Sequence, residues 1–372
     1  HLKAEGLNRE GDGFRRIVVE KPFGYDLSSA LELNRIYLDA FREEQIYRID
    51  HFLGKETVQN ILALRFANSV FEPLWNRNYI DYVEITAVEN MGIGTRGGFY
   101  DGVGTLRDMV QNHLAQLLAV TAMEPPAAFD ASGFRNEVVK VYQSLTPLTG
   151  EDIRHSVVRG QYMASEGRKG YREEEQVPAL SRTETYLAMR LELNNWRWGG
   201  VPFYIRTGKQ MPTKVSEIVI HFKPAPYSLF RCEGGTCPVP NRLVIRIQPN
   251  EGIVLRLGMK KPGEGFEVLP MDMDFSYAEL GRLPTEDAYA RLIEDCIAGD
   301  PTLFIRSDAA ESGWRFFDPI LKYWQDVPEC PLYGYPAGSW GPLEADSLVA
   351  RQGASWTNPC KNLTNTHLYC EL

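Results

Sequence analysis

The chain has 372 residues, 44% hydrophobic and 24% charged, the balance of a folded globular protein with a sizeable core rather than of a disordered chain. Its net charge of −9 works against nonspecific nucleic-acid binding, so an anionic ligand must be drawn by a local cluster of cations. No apolar run reaches the roughly 18 residues of a membrane span, and six irregularly spaced cysteines read as free thiols in a reducing, cytoplasmic compartment.

Residues 15–20 form a short apolar run that ends in Lys21-Pro22-Phe23-Gly24, which reads as a buried strand turning at a proline and a glycine. Asp26 is then placed to cap a helix in which Leu27, Leu31, Ile36, Tyr37 and Phe41 follow helical spacing to about Glu44. Strand, turn and helix in that order is α/β grammar, and Lys21 falls at a strand's carboxyl end, where open α/β sheets place ligands. Next comes Arg48-Ile49-Asp50-His51-Phe52-Leu53-Gly54-Lys55. Its charged and imidazole groups must be paired, solvated or ligand-facing, while Ile49, Phe52 and Leu53 anchor the segment. Adjacent residues of an extended segment point opposite ways, so Asp50 and His51 are expected to serve different partners.

Lys55 to about Ser69 reads as a helix with Val58, Ile61, Leu62 and Phe66 on one side, and residues 80–88 as a half-buried strand ending at Glu89. Gly92, Gly94 and Gly97 then match the dinucleotide fingerprint G-x-G-x-x-G. We read them as a flexible loop, because residues 98–104 separate them from the next helix and Leu117 stands where an acid should hold a ribose. A long helix from about Thr105 to Met123 carries the stripe Leu106, Val110, Leu114, Leu117 and Leu118. Asp108, Gln111, Asn112 and His113 interrupt it. At about 100° per residue, Asp108 and His113 lie roughly 140° apart, able to flank one cleft but not to meet.

Beyond residue 150, strands at 182–193, 215–222, 242–248 and 252–258 follow one another without long helices between them. That predicts a large, mostly antiparallel sheet and an α+β fold. Lys209, after Arg206-Thr207-Gly208, and Lys214 suit a phosphate at a strand end. A further helix is expected near Glu286–Ala298, and the last fifty residues read as turn-rich. The Asn362-Leu363-Thr364 sequon is incidental to this reading.

An imidazole oriented by an aspartate can act as a general base; His51, His113, Asp50 and Asp108 could instead ligate a metal. Four motifs bear on the choice: Glu20-Lys-Pro-Phe-Gly24, Arg48–Lys55, Arg107-Asp-Met-Val-Gln-Asn-His113 and Arg246-Ile-Gln-Pro-Asn-Glu251. They closely resemble motifs of the glucose-6-phosphate dehydrogenase family, in that family's order, and the likeness extends over essentially the whole chain.

The resemblance implies oxidation of glucose 6-phosphate at C1 to the lactone, with hydride passing to NADP and no metal. It makes His113 the base and Asp50 its orienter. His51 and Lys55 would bind the sugar phosphate, and Glu89 and Asp108 the sugar hydroxyls. Lys209, Lys214 and Gln248 would make further substrate contacts, while Lys21 would bridge substrate and coenzyme. Residues 1–50 would be the carboxyl-terminal remnant of a doubly wound dinucleotide-binding domain, and residues 51–372 an α+β domain for substrate binding and assembly into a homodimer or homotetramer. The family's glycine fingerprint would precede His1, so the chain alone is expected to have little or no activity. Phe52 stands where the family usually has tyrosine, and one lost hydrogen bond to a charged group is worth roughly 1.5–3 kcal/mol. The competing readings are a non-catalytic sugar-phosphate-binding or oligomerisation module, and a phosphosugar hydrolase using Glu89 and Asp108 as paired carboxylates.

Overall fold

A computed structural model describes residues 1–359 apart from 12, 228, 233–240, 264, 278–286 and 351–353. The chain divides into two compact units, each assembled from three segments: residues 1–63, 106–153 and 284–330, and residues 64–105, 154–283 and 331–372.

The first unit opens with the predicted crossover. Strand β1 (Ile17–Val19) leads through helix α1 (Leu27–Ala40) to β2 (Ile46–Arg48), which lies parallel to β1 with Ile17 opposite Ile46. Asp26 caps α1 by accepting from the Ser29 amide, and Ser29 Oγ reciprocates at the Asp26 amide. The buried face of α1 differs from expectation. Leu31 and Ile36 are exposed, while Ala30 and Asn34 are buried. Asn34 donates to Ser307 O and Glu311 Oε1 on the helix Ser307–Asp326, so a polar brace takes the inward position.

Helix α2 (Glu56–Phe66) begins in this unit. The long helix predicted from Thr105 follows in two parts, a π-helix over Leu106–Leu114 and α4 (Ala115–Ala122) after it. Helix α5 (Ala131–Ser144) is followed by the short α6 (Gly150–Ser156), and α7 (Ala288–Ala298) and α8 (Ser307–Asp326) come later in the chain, with α8 against α1, α5 and the π-helix. Sequence reading missed α5 and α8.

The second unit is built on a ten-stranded mixed sheet, ordered β12-β4-β5-β6-β3-β7-β9-β10-β11-β8. Its strands are β3 (Ile80–Val88), β4 (Val157–Met163), β5 (Tyr186–Glu192), β6 (Pro202–Gly208), β7 (Val215–Phe222), β8 (Arg231–Cys232), β9 (Arg242–Gln248), β10 (Gly252–Lys260), β11 (Glu267–Ser276) and β12 (Tyr333–Pro336). Three neighbouring pairs run parallel, β12/β4, β3/β6 and β11/β8, and the rest antiparallel, so the mostly antiparallel α+β architecture is the observed one.

The 92–97 glycines run directly into a helix, unlike the separate loop expected of them. Helix α3 (Gly97–Thr105) starts directly at Gly97, with no intervening loop. A Cβ at Gly97 would lie 2.1 Å from Glu175 O, so this glycine admits a neighbouring backbone; and β3 pairs with β6 and β7 instead of opening a parallel crossover into α3.

Cys296 is a buried free thiol, and Cys330 is buried as well. Cys237, Cys360, Cys370 and the Asn362 sequon lie outside the described residues, and so does the side chain of Cys232. No helix among the described residues is long and apolar enough to cross a membrane.

Candidate active site

Both strands of the parallel pair deliver site residues just past their carboxyl ends: Lys21 follows β1, and Asp50 follows β2. Arg48, at the end of β2, is 1% exposed and acts as a brace. Its guanidinium pairs with Glu43 at 2.8 Å, donates to Asn34 Oδ1 at 3.1 Å and reaches Ile305 O. The first cation of the motif therefore holds the segment in place. Gly54 belongs to the same support, since a Cβ there would meet Ala288 O at 2.5 Å where α7 begins.

The π-helix brings His113 to Asp50. Asp50 Oδ1 accepts from His113 Nδ1 at 2.6 Å and from the Phe52 amide at 3.0 Å; both side chains are buried. At the other end of the ring, Lys21 Nζ lies 2.8 Å from His113 Nε2, and it also donates to Asp108 O at 3.1 Å. The Asp108 carboxylate stands 3.6 Å from the same ammonium. These contacts correct the 140° separation expected for an α-helix. Wound with i→i+5 hydrogen bonds, residues five apart fall roughly into register, so Asp108 and His113 share Lys21.

One tautomer satisfies both ends of the imidazole. An ammonium can only donate, so Nε2 accepts; an ionised carboxylate can only accept, so Nδ1 carries the proton. Asp50 is ionised in this arrangement. Burial works to raise its pKa, but the electrostatic pull and hydrogen bond of the His113 ring, with the Phe52 amide, outweigh it and hold the carboxyl below its usual range.

His51 does not turn away from Asp50 to a separate partner. The chain enters a turn at residue 51, and the His51 ring packs edge-on against His113 with centroids 4.6 Å apart, so both residues contact the same imidazole. On its other side His51 stacks with Tyr289 of α7, a neighbour that no sequence signal identified. Phe52 lies nearly parallel to His113 at 4.5 Å, and Lys55 Nζ sits 4.2 Å above the Phe52 ring.

Burial, then the electrostatic effect of the adjacent His113 ring, pushes the His51 pKa down to about 4, against the partial pull of Asp50. The unfolded chain takes up that proton near pH 6.5 and the folded chain only near 4, so stability is full above about 6.5 and falls as pH drops through this window. Denaturant titrations of the protein and of His51→Gln between pH 7 and pH 4 should show a shallower pH slope in the variant. Equal slopes would mean that His51 is not the group titrating there.

Asp50, His51 and His113 have ligand atoms within 4.8 Å of one another. A dication there would have to displace the Lys21 ammonium from Nε2, so the lysine works against the metal reading.

The remaining predicted residues belong to the second unit. Lys209, buried at the end of β6, is ion-paired with Glu89, which follows β3. The Lys209 backbone is fixed at both ends, by the amide to Thr185 O at 2.9 Å and by Tyr335 Oη to the carbonyl at 2.7 Å. Lys214 is exposed just before β7, and Gln248 at the end of β9 donates to Ser216 Oγ at 3.1 Å.

This unit also holds a second imidazole–carboxylate pair, His221 Nε2 to Glu84 Oε1 at 2.6 Å. Its surroundings are those of a clamp. The Thr357 amide donates to Glu84 Oε2 and the Thr357 hydroxyl to Oε1, while Tyr82 covers the His221 ring at 4.0 Å. The His113 pair differs in having the lysine Lys21 at its outer nitrogen.

The fold and the site together define a class: an α/β crossover with an imidazole–carboxylate pair past the carboxyl ends of its strands, in a chain that also builds a large mixed sheet. Residues 1–60 match the family model described as the NAD binding domain of glucose-6-phosphate dehydrogenase, and residues 62–357 match its C-terminal domain. The chain belongs to the glucose-6-phosphate dehydrogenase family.

It is 54% identical over 362 residues to a glucose-6-phosphate 1-dehydrogenase of Aggregatibacter actinomycetemcomitans, covering 96% of this chain and 72% of that protein. It is 50% identical to the enzyme of the same name from Treponema pallidum, over 100% of this chain and 73% of that one. A solved glucose-6-phosphate dehydrogenase in complex with its substrate glucose-6-phosphate superposes with a TM-score of 0.88 at 35% identity, covering 96% of this chain and 72% of that chain.

Proposed function

We propose that the protein oxidises glucose 6-phosphate to 6-phosphogluconolactone, the first step of the pentose phosphate pathway, with NADP as hydride acceptor. The observation that carries this reading is the His113 imidazole, with Nδ1 committed to Asp50 and Nε2 held, among the described residues, by Lys21. A sugar hydroxyl arriving at Nε2 takes the place of the lysine ammonium as donor. His113 then removes the C1 hydroxyl proton, and the O–H electrons close the C=O bond of the lactone. The C1–H electrons leave as hydride, and Asp50 stabilises the imidazolium that results. Lys21 is freed to meet anionic groups.

His51 is neutral at pH 7 and supplies a hydrogen bond to the substrate phosphate, so Lys55 supplies the charge. Asp108 accepts from a sugar hydroxyl. In the second unit, by family resemblance, Glu89 accepts from a sugar hydroxyl, and Lys209, Lys214 and Gln248 contact substrate. The hydrolase reading would need Glu89 and Asp108 unencumbered, whereas each faces a lysine.

A nicotinamide dinucleotide, when bound, supplies the hydride acceptor. The residues present fit such a group, since β1 and β2 end side by side with Lys21 at the β1 end, the edge where open α/β sheets bind dinucleotides. We read residues 1–50 as the carboxyl-terminal part of the coenzyme domain and residues 51–372 as the substrate domain. A homo-oligomeric, cytoplasmic protein completes the proposal; Met271, Met273 and Phe275, at alternate positions of β11, expose an apolar face suited to a subunit interface.

The test is substrate deuterated at C1, assayed with the complete protein that carries this chain. The label should appear in reduced coenzyme, faster with NADP than with NAD. Label retained on the sugar, or product formed without coenzyme, would refute the reading.

A further inference from the structure

In the second unit, the turn that leaves β6 is held in a conformation its sequence does not favour. Gln210, directly after Lys209, has a φ of 52°, a left-handed backbone that a residue with a Cβ rarely adopts. Such a residue persists where its surroundings over-determine it, and it is found preferentially at functional sites. Here the Lys209 amide donates to Thr185 O at 2.9 Å, the Gln210 amide to Met91 O at 3.0 Å and the Met211 amide to Glu89 O at 3.0 Å. The two intervening carbonyls are taken as well, and both by one segment. Tyr335 Oη donates to Lys209 O at 2.7 Å, and the Gly338 amide donates to Gln210 O at 2.6 Å.

Tyr335 lies on β12, with β4 and β5 between it and β6, and its side chain is fully buried. The direction of its hydrogen bonds is fixed. The Tyr162 amide donates to Thr185 Oγ1 at 3.0 Å, and that hydroxyl lies 3.1 Å from Tyr335 Oη. Tyr335 has a single hydroxyl hydrogen, and Lys209 O at 2.7 Å takes it in preference to Thr185 O at 3.3 Å. Thr185 therefore donates to Tyr335. A chain of three hydrogen bonds runs from the Tyr162 amide through two hydroxyls to the Lys209 carbonyl. Burial holds the phenol well above its ordinary pKa, so it remains a donor. The Lys209 side chain springs from the residue so fixed; it is buried and ion-paired with Glu89, whose amide donates to Gly208 O at 2.9 Å.

We propose that Tyr335 is a positioning residue for substrate binding, its hydroxyl fixing the Lys209 peptide and with it the ammonium that Lys209 presents beside Glu89. A lysine carries its charge on a flexible four-carbon stem, so the place of the ammonium depends on where the backbone starts it. Without the phenol donor the Lys209 carbonyl is left buried and bare, and the Lys209–Gln210 peptide relaxes from its left-handed turn toward another partner. Tyr335 acts only through Lys209. This rests on the reading of Lys209 as a substrate contact given above.

The experiment is a double-mutant cycle in the complete protein, using Tyr335→Phe, Lys209→Ala and both together. Tyr335→Phe keeps the ring in the core and removes only the hydroxyl. It should raise KM for glucose 6-phosphate by about tenfold with kcat within about twofold, the signature of binding lost equally from ground and transition states. In the Lys209→Ala background the same substitution should have almost no further effect. If Lys209→Ala raises KM and Tyr335→Phe does not, or if the two effects simply multiply, Tyr335 is a core residue only, and the proposal falls while the reading of Lys209 stands. If Lys209→Ala itself leaves KM unchanged, that reading fails, and the assignment of Tyr335 with it. Should Tyr335→Phe not fold, Thr185→Val decides in its place, because it removes the hydroxyl that donates to Tyr335. A rise in KM of about threefold, reversed in Thr185→Ser, supports the proposal, and an unchanged KM overturns it.

Discussion

His113→Asn should lower kcat with glucose 6-phosphate by a factor of about 10²–10⁴, the range supplied by a positioned general base. Asparagine can still fill the space between Asp50 and Lys21, but it cannot take a proton at neutral pH. The neighbours of His113 are anchored without it: Phe52 is fixed by its amide to Asp50 and Arg48 by Glu43 and Asn34. The variant should therefore fold normally, and steady-state rates of coenzyme reduction are a sufficient measurement. A fall of less than tenfold would remove His113 from the role of base.

The second large effect is on stability and lies one layer back. Trp314 of α8 is 1% exposed, and its indole N–H donates to Phe23 O at 3.0 Å, two residues beyond Lys21. Trp314→Ala deletes that bond and leaves a cavity, a combination that costs about 3–5 kcal/mol. Against the 5–15 kcal/mol of a typical domain this is a large fraction. Denaturant unfolding should report it as a lowered midpoint. Trp314→Phe keeps most of the volume and should cost only about 1 kcal/mol for the lost hydrogen bond, yet it releases the turn that aims Lys21. A loss below about 1 kcal/mol in Trp314→Ala would mean that the Phe23 turn is held by other contacts.

Much of the molecule was legible because its signals are local. Residues 80–88, 215–222 and 242–248 are strands with the boundaries that their apolar and β-branched composition predicts. Asp26 announces α1 through capping chemistry that involves only Ser29. The interleaving of Arg48, Asp50 and Lys55 with Ile49, Phe52 and Leu53 marked a segment anchored by its apolar side chains, all three of which are buried, although Arg48 is buried with them as a brace.

What escaped detection depends on partners distant in sequence. The amphipathic stripe of α1 was read from Leu31 and Ile36, but the inward face was chosen by Asn34 because Arg48 and Glu311 need it there. Helix α5 carries charged residues among its apolar ones, which hides the buried face formed by Phe134, Val138, Val141 and Tyr142. The π winding of residues 106–114 is the most consequential omission. An ideal helix places Asp108 and His113 on different faces, and only the wider turn lets one lysine contact both. The glycine run at 92–97 shows the reverse case, in which a familiar spacing serves packing against Glu175.

The central claim is that His113 does chemistry and does not hold the site together. Calorimetric titration of His113→Asn with glucose 6-phosphate separates the two. The account predicts a dissociation constant within about threefold of the parent protein's, because the phosphate and hydroxyl contacts belong to other residues and only a transition-state interaction is lost. A loss of binding comparable to the loss of rate would contradict it and make His113 a structural residue.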